Sequence, residues 1–406
     1  MNVDYKITTK YIANRIKQVL DQIISPSQTG FIKGRYIGEN IRLICEVLDH
    51  VDQNDIPSLM FFSDFEKAFD SLDHNFMYEA LKHFNFGDDI LQWTKLFYTD
   101  VKSCVLNNGH MTDFFNICRG VRQGCPLSPY LFIICIELLS FSVDNNMDIK
   151  GINIYENEIK KTLFADDATF MTDGTKKSFE ALINTLDNFS YASGLKLNSS
   201  KCNVLRSGSL RNSDILFLKD RNFQWSSDKA KALGVTVHNN KEQFIKENID
   251  KKIEDFDNTL KQWQHKKISL LGKITVIKSL ALPKLIYPLT ILKTPSAEQI
   301  KHIKNSMYNF LWNNKPDKIK RKQLIQNYQN GGLRMLDIDL FINSLKCSWI
   351  KRLFENKNKG QWKLFYFNKI NNFGGKLLFE SSLNKNVVLT MFPKKQFSTI
   401  YTLILG

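Results

Sequence analysis

Two adjacent carboxylates, Asp166 and Asp167, lie in the middle of the stretch TLFADDAT, residues 162–169. The residues on either side, 162–164 and 168–171, favour β-strands, so the pattern predicts a β-hairpin with both carboxylates at its tip. Hairpin tips ordinarily contain Asn-Gly or Asp-Gly, because type I′ turns need positive φ at both central residues. Two like charges there repel each other unless a cation lies between them. Because most isolated Asp-Asp pairs belong to solvated turns, a metal site requires a third carboxylate from elsewhere in the chain.

That third carboxylate is Asp64, in PSLMFFSDFEKAFDSLDH, residues 57–74. The apolar run at 59–62 predicts a short buried strand that ends just before Asp64. The end of a strand is a usual position for a catalytic or metal-binding group. Further along, Asp73 suits the N-cap of the helix that follows.

Carboxylates from two strand ends, Asp64, Asp166 and Asp167, have the chemistry of a site for two Mg²⁺ ions about 3.5–4 Å apart. Mg²⁺ takes hard oxygen ligands, and substrate phosphates replace some of its waters, so few protein ligands suffice. One ion would lower the pKa of a primer 3′-hydroxyl and the other would bind the triphosphate, which is the positioning that phosphoryl transfer needs. Lys201 could then protonate the pyrophosphate as it leaves.

The elements that must position these groups begin with an amphipathic helix, predicted over residues 8–24. A glycine-containing loop follows in QTGFIKGR, residues 28–35. On it, Lys33 and Arg35 could bind phosphates through side chain and backbone together. Most Lys and Arg pairs on such loops are only solvated, so the loop alone decides nothing.

Residues 119–143 begin as a polar, glycine-containing loop and end in a nearly all-apolar helix. A helix of this kind packs beneath a sheet, and Ser128 suits its N-cap. Its N-terminal loop, with Arg122, Gln123 and Gly124, would then face the cleft where the carboxylates meet.

After the aspartate hairpin, periodicity predicts a helix over 177–193 that is closed by Gly194. The sequence GLKLNSSKCNVL, residues 194–205, predicts a turn and a strand, and residues 231–237 predict one further strand. Helices interleaved with short strands predict an α+β domain of about 240 residues.

The last part of the chain differs in charge. Residues 241–406 contain 30 Lys and Arg against 12 Asp and Glu, a net charge of +18, which leaves −3 for residues 1–240. Basic amphipathic helices such as 265–289 predict binding of a polyanion, although a basic surface kept for solubility explains the charge equally well. Three aromatic residues interleaved with these charges fit nucleic acid, but at helical spacing such residues are more often core: Trp312, Tyr328 and Trp349.

Size and composition exclude several other classes. With 406 residues, 43% hydrophobic and 24% charged, the chain predicts a globular protein of two or three domains. No apolar run reaches the roughly 18 residues of a membrane span, and the N-terminus lacks the apolar segment of a secretory signal. The seven cysteines form neither Cys-x-x-Cys pairs nor clusters with His, which argues against a zinc site or disulfide framework and favours a reducing compartment.

Taken together, the motifs resemble the reverse transcriptases of non-LTR (LINE-type) retrotransposons over nearly the whole chain. SDFEKAFDSLDH, RGVRQGCPLSP, FADD, GLKLNSSKC and LGV are similar to the five palm motifs of that family and occur in its order. QTGFIKGR resembles its finger motif, and NGGLRMLD resembles its region after the thumb. Each string alone is weakly informative, but five in order are highly specific.

This resemblance implies an α+β, right-hand polymerase fold. Fingers and palm would occupy residues 1–240, a helical thumb 241–300 and a basic, mainly helical region 301–406. The resemblance assigns metal binding, of two Mg²⁺ ions or Mn²⁺ in their place, to three carboxylates and one backbone carbonyl: Asp64, Asp166, Asp167 and the carbonyl of Phe65.

The resemblance also assigns the nucleotide-binding residues. Phe69 matches the bulky residue that excludes a 2′-hydroxyl, and Gln123 and Gly124 match the loop that receives the incoming nucleotide. Arg35 matches the finger residue that contacts its triphosphate. Lys201 matches the lysine of the fourth motif, and residues 233–237 match the primer grip.

The implied function is RNA-directed DNA synthesis in retrotransposition, with template RNA, primer or target DNA and dNTPs as partners and no membrane. The implied location is intracellular: the nucleus for target-primed synthesis and the cytoplasm for a ribonucleoprotein. In this family the finger region begins upstream of the segment that corresponds to Met1. We therefore expect this chain to be a piece of a longer open reading frame. The alternatives are a domesticated or RNA-synthesising relative and an inactive nucleic-acid-binding remnant, and Phe69 disfavours the use of ribonucleotides.

Overall fold

Residues 2–356 and 359–371 are described by the computed structural model of this chain. One compact unit comprises Met1–Asn239 and Lys359–Trp362, and the other comprises Asn240–Asn358 and Lys363–Gly406. The region predicted as thumb falls in the second unit, and so does the described part of the predicted post-thumb region except Lys359–Trp362, which belong to the first unit. Of the predicted post-thumb region, residues 357–358 and 372–406 lie outside the described residues.

In the first unit, the helices are α1 (Val3–Ile16), α2 (Leu20–Ile23), α3 (Ile37–Gln53), α4 (Ala68–Ser71), α5 (His74–His83), α6 (Asp88–Tyr98), α7 (Ser128–Asn145) and α8 (Lys176–Ser193). Its strands are β1 (Ser58–Ser63), β2 (Lys102–Ser103), β3 (Leu106–Asn107), β4 (His110–Met111), β5 (Phe115–Asn116), β6 (Ile152–Ile154), β7 (Asn157–Ile159), β8 (Lys161–Phe164), β9 (Asp167–Thr172), β10 (Asn203–Ser207), β11 (Gln224–Ser226), β12 (Lys229–Ala232) and β13 (Val235–His238).

A five-stranded sheet in the order β11-β10-β1-β9-β8 forms the centre of the first unit. β1 is antiparallel to both of its neighbours, and all six of its residues are buried. The apolar run at 59–62 therefore predicted this strand correctly, because a strand covered on both faces needs no polar alternation. The sheet packs on a core to which α7 contributes a nearly continuous apolar surface, and α7 packs in turn against α5 and α8.

The aspartate hairpin exists, but its tip is shifted by one residue. β8 and β9 pair with Phe164 opposite Asp167, so the two turn residues are Ala165 and Asp166. Asp167 is the first residue of β9 rather than part of the turn. Ala165 has φ +55°, a value that an L-residue other than glycine adopts only at a cost.

Caps and turns follow the local sequence in two places and depart from it in two others. Asp73 caps α5 by accepting from the Phe76 amide at 2.9 Å, as predicted, and α8 ends at Gly194 with φ +77°. The N-cap of α7 is Leu127 instead of Ser128. The predicted single strand over 231–237 is wrong: β12 and β13 form a hairpin with 232 opposite 235.

That hairpin turns at Leu233 and Gly234, which both have positive φ. Such a turn normally contains Asn or Gly at its first central position. Leucine gives no such signal, so the break between the two strands was invisible in the sequence. The helix predicted over residues 8–24 is likewise divided, into α1 and α2.

The second unit is helical. It contains α9 (Lys241–Ile245), α10 (Lys251–Gln264), α11 (Leu270–Val276), α12 (Pro283–Ile291), α13 (Ala297–Trp312), α14 (Arg321–Ile325), α15 (Ile338–Phe354) and α16 (Lys363–Asn371). The continuous apolar stripe over 265–289 is divided between α11, a π-helical segment and α12, where Pro283 lacks an amide hydrogen. Trp312 and Trp349 are core residues, whereas Tyr328 is exposed. Among the described residues, no single helix has the length and hydropathy of a membrane span, although the bent pair Leu270–Ala281 and Pro283–Ile291 passes on those two criteria alone.

Candidate active site

Asp64 follows directly on β1, and its main chain is fixed by the segment before β10. The Asp64 carbonyl accepts from the Asn198 amide at 2.8 Å, and its own amide donates to the Cys202 sulfur at 3.5 Å. The carboxylate itself remains 40% exposed. A rigid backbone with an accessible carboxylate is what a ligand-binding group at a strand end requires.

The aspartate hairpin brings the other two carboxylates to the same edge of the sheet. β1 and β9 are antiparallel, with Ser63 opposite Ala168. Continuing this register by one residue sets Asp64 opposite Asp167. Asp64 lies more than one hundred residues before Asp166 and Asp167 in the chain, and the three carboxylates share one edge because β1 and β9 are neighbours.

Electrostatics within this group disfavours three ionised carboxylates. Burial, together with the charges of Asp166 and Asp64, raises the pKa of Asp167 to about 6. The pKa of Asp166 is also raised, first by burial and then by Asp64, while a hydrogen bond from its own backbone opposes the shift. A nearby cation would reverse these shifts, since opposite charge favours the ionised form.

The donor set is chemically suited to a hard divalent cation. In the bridge between Phe65 and Leu197, the Asp64 and Lys196 carbonyls accept and the Asn198 and Glu66 amides donate. The Phe65 carbonyl takes no part in these bonds and points away from them. As the side chains stand in the described part of the chain, however, no group of three His, Cys, Asp or Glu is close enough together to hold a metal ion.

Beside Asp64 lies a cavity of about 520 Å³ whose lining includes four cationic side chains and the carboxylates of Asp64 and Glu66. Lys201 is one lining residue, and its ammonium lies 3.9 Å from Asp64 Oδ2. Three further cations line the same cavity: Lys67, Arg119 and Lys196. None of these three was predicted as a site residue, whereas Lys201 was. Each of the three lies in or beside a motif string. Nearness to the motifs was therefore the one signal by which these cations could have been predicted as site residues.

Phe69 is half-buried between the site and the core. Its ring stacks on Phe132, with centroids 4.3 Å apart and planes at 15°, and meets the edge of Phe31 at 6.4 Å. The backbone carbonyl of Phe69 accepts from the Val121 amide at 2.6 Å. The residue thus fixes the 119–127 loop and also packs on the apolar core.

Gln123 and Gly124 are exposed on this loop. Gln123 Nε2 donates to Asp70 Oδ1 at 3.3 Å, which ties the loop to the segment after Asp64. Gly124 has φ +79° and open space where a side chain would begin, so the backbone there is accessible to a ligand.

Arg35 is not available as a triphosphate ligand, and this prediction needs correction. Its guanidinium donates to the backbone carbonyls of Ser25 at 2.5 Å, Gln28 at 2.7 Å and Ile24 at 3.0 Å. The side chain is only 12% exposed, and burial lowers its pKa. Arg35 therefore fixes the loop that precedes it, and the cations that line the cavity at Asp64 come from other segments.

Comparison with known proteins decides the family. Residues 1–272 match the family model described as "Reverse transcriptase (RNA-dependent DNA polymerase)", which is more than half of the chain. The chain belongs to the reverse transcriptase family. Members of this family are nucleotidyltransferases with a polymerase-like α+β fold and generally use divalent metal ions.

Relatives named as retrotransposon proteins confirm the predicted resemblance to the non-LTR type. It is 32% identical over 317 residues to the "Transposon TX1 uncharacterized 149 kDa protein" of Xenopus laevis, covering 77% of this chain and 24% of that protein. It is 28% identical over 177 residues to a Pol polyprotein from the type-2 retrotransposable element R2DM of Drosophila melanogaster, covering 44% and 16%. The chain thus spans about a quarter or less of the length of these relatives.

Among solved structures, a telomerase from Candida tropicalis in complex with a TWJ fragment of telomeric RNA is 13% identical to the chain, with a TM-score of 0.47. The alignment covers 89% of this chain and 56% of the telomerase. The family assignment rests on the match of residues 1–272 to the family model.

Proposed function

We propose that this chain is the catalytic core of an RNA-directed DNA polymerase that extends a primer 3′-hydroxyl with dNTPs on an RNA template. The observation that carries the proposal is the convergence of Asp64, Asp166 and Asp167 at one sheet edge. Burial and mutual charge raise the pKa of the hairpin carboxylates. Such a group is costly for folding and is explained by a ligand of opposite charge.

Two Mg²⁺ ions are the proposed cofactor, with the three carboxylates and the Phe65 carbonyl as ligands. When bound, such ions activate the 3′-hydroxyl and neutralise charge on the triphosphate. In the described part of the chain the carboxylates are not close enough together to hold an ion as they stand, so binding of the ions would require their side chains to turn toward each other.

The chain's own cations act on the phosphates. Lys67, Arg119, Lys196 and Lys201 surround the cavity beside Asp64, where a triphosphate would find charge compensation. The Lys201 ammonium, 67% exposed and 3.9 Å from Asp64 Oδ2, holds a proton at the edge of this cavity. We assign to it the donation of that proton to the departing pyrophosphate.

In this proposal the sugar and base of the incoming nucleotide face the 119–127 loop and Phe69. The Phe69 ring is held by its stack on Phe132, so it resists displacement by a 2′-hydroxyl. The backbone at Gly124 is open, and Gln123 ties this loop to Asp70. The proposed partners are template RNA and primer or target DNA, and the proposed place of synthesis is the nucleus, with a cytoplasmic ribonucleoprotein before it.

A primer-extension assay tests the proposal. The purified full chain is given poly(rA) with an oligo(dT) primer, dTTP and Mg²⁺, and extension is followed on a sequencing gel. We expect extension that needs the RNA template and is abolished by EDTA. RNA binding without extension would contradict the proposal and favour the inactive, nucleic-acid-binding remnant.

A further inference from the structure

The turn that carries Asp166 has an unfavourable backbone. Ala165 is the first of the two turn residues and has φ +55°. An alanine in this region is strained by the approach of its Cβ to the backbone. Such a conformation persists only where the surroundings hold it in place. Contacts of Ala165 must therefore stabilise its positive φ.

Gln28 supplies that contact. Its side chain is fully buried, and its Oε1 accepts from the Ala165 amide at 2.9 Å and from the Gly30 amide at 2.8 Å. Its Nε2 faces the Ala165 carbonyl at 3.5 Å. One carboxamide therefore meets both backbone polar groups of the strained residue.

The backbone on either side of Gln28 fixes its position against the hairpin. The Ser27 carbonyl accepts from the Leu163 amide at 2.8 Å, and the Thr29 amide donates to the Leu163 carbonyl at 2.9 Å. This segment thus adds to the outer edge of β8 in parallel orientation. At Gly30, a Cβ would lie 2.6 Å from the Ala165 nitrogen, so only glycine permits this approach.

We propose that Gln28 is a positioning residue for catalysis: it holds Ala165 in the left-handed conformation that turns Asp166 and Asp167 toward Asp64. The inference rests on the proposed function for its kinetic consequences. Its structural part, that the Gln28 carboxamide holds the Ala165 backbone, can be tested without activity.

The kinetic test compares Gln28→Met, which keeps the length of the side chain but has no hydrogen-bonding groups at its end, with Gln22→Met, an exposed control on α2. We expect kcat of Gln28→Met to fall by about 10- to 100-fold, as for other residues that orient ligands of a site. The KM for dTTP and the Kd for RNA should stay within about twofold of the parent values, because the substitution does not alter the contacts with dTTP or RNA. A kcat equal to that of the parent would overturn the proposal.

Rescue separates positioning from general destabilisation. Glycine adopts positive φ without cost, so Ala165→Gly combined with Gln28→Met should recover at least about fivefold of the lost kcat. A packing defect at Gln28 would not be corrected by removing a methyl group from residue 165. A double variant as slow as Gln28→Met, with the protein folded, would therefore overturn the proposal.

Hydrogen exchange gives the readout that is independent of activity. The Ala165 amide should exchange at least about tenfold faster in Gln28→Met than in the parent or in Gln22→Met, and equal exchange would overturn the proposal. If Gln28→Met does not fold, Gln28→Asn, one methylene shorter, serves in all three tests. A parent without extension activity would refute the proposed function, while the exchange result would still decide whether Gln28 holds the turn.

Discussion

At the scale of single residues, the carboxylates Asp64, Asp166 and Asp167 are the groups on which the proposed chemistry depends. Burial, and after it the like charges at one edge, raise the pKa of Asp166 and Asp167. The carboxylates therefore favour a cation, and a neutral amide in place of one of them removes both charge and ligand.

Asp166→Asn and Asp64→Asn are each expected to lower primer extension by at least about a thousandfold, since a neutral amide cannot hold the metal pair. RNA affinity should change by less than about twofold, because the phosphate contacts remain. Asp113→Asn, at an exposed position outside the site, is the matched control. Extension by both site variants at the parent rate would exclude the two-metal assignment.

Phe69→Val is expected to admit ribonucleotides, because the smaller side chain leaves room for a 2′-hydroxyl. The ratio of kcat/KM for dTTP to that for UTP should fall at least about tenfold, roughly 1.4 kcal/mol of discrimination. Since Phe69 also stacks on Phe132, truncation costs stability as well.

Phe76→Val controls for that loss, because Phe76 is a partly buried ring packed on the same core but outside the loop at Gln123. It should lower stability without altering the sugar ratio. If Phe69→Val lowers kcat/KM for dTTP and for UTP by the same factor, so that their ratio is unchanged as in the control, Phe69 is a core residue only.

At the scale of elements, α7 contains a carboxyl group inside the apolar core. Glu137 is fully buried, accepts from the Ser25 amide at 3.0 Å and has its pKa raised by burial from 4.5 to about 7. Lys161, on β8, opposes this shift, and Arg35 also interacts with Glu137. The folded chain therefore retains a proton that the unfolded chain has lost near neutral pH.

The sign of the resulting pH dependence follows from linkage. Because the folded pKa lies above the unfolded value, the contribution of Glu137 to stability is fully present below about pH 4.5 and is lost as pH rises through 7. Glu137→Gln removes the titration. We expect the stability of the variant relative to the parent to increase by up to about 3 kcal/mol between pH 5 and pH 8.

Urea unfolding of both proteins at pH 5, 6, 7 and 8 measures this difference, with Glu66→Gln, an exposed position, as control. A difference between Glu137→Gln and the parent that does not vary with pH would show that Glu137 titrates alike in the folded and unfolded chain.

At the scale of the whole molecule, charge is segregated along the chain: +18 in residues 241–406 and −3 in residues 1–240. If the basic part binds nucleic acid, affinity should depend on salt through released counterions. The densest basic stretch, KPDKIKRK at 315–322, is exposed throughout.

Changing four lysines of this stretch to Gln in the full chain should weaken RNA binding at low salt and reduce the slope of log K against log salt by up to about 3: Lys315, Lys318, Lys320 and Lys322. The control changes four exposed lysines of the first 240 residues: Lys6, Lys10, Lys17 and Lys219. Equal slopes for the parent and both variants would mean that the basic stretch is only a solvated surface.

Features of this protein that depend on neighbouring residues in the chain could be predicted from the sequence. The apolar run at 59–62 gives a buried strand, and Gly194 ends α8, because local patterning decides burial and helix ends. Motif strings in order gave the family, and with it the α+β polymerase fold.

Which polar groups contact each other depends on the tertiary structure. Arg35 donates to nearby backbone carbonyls. The Ala165 amide donates to a glutamine 137 residues away, and the cations near Asp64 come from separate segments. These contacts join residues that pattern and propensity treat as independent. Their free energy arises from hydrogen bonds and charges that exist only once the strands have paired, so a linear reading of the chain has no means of finding them.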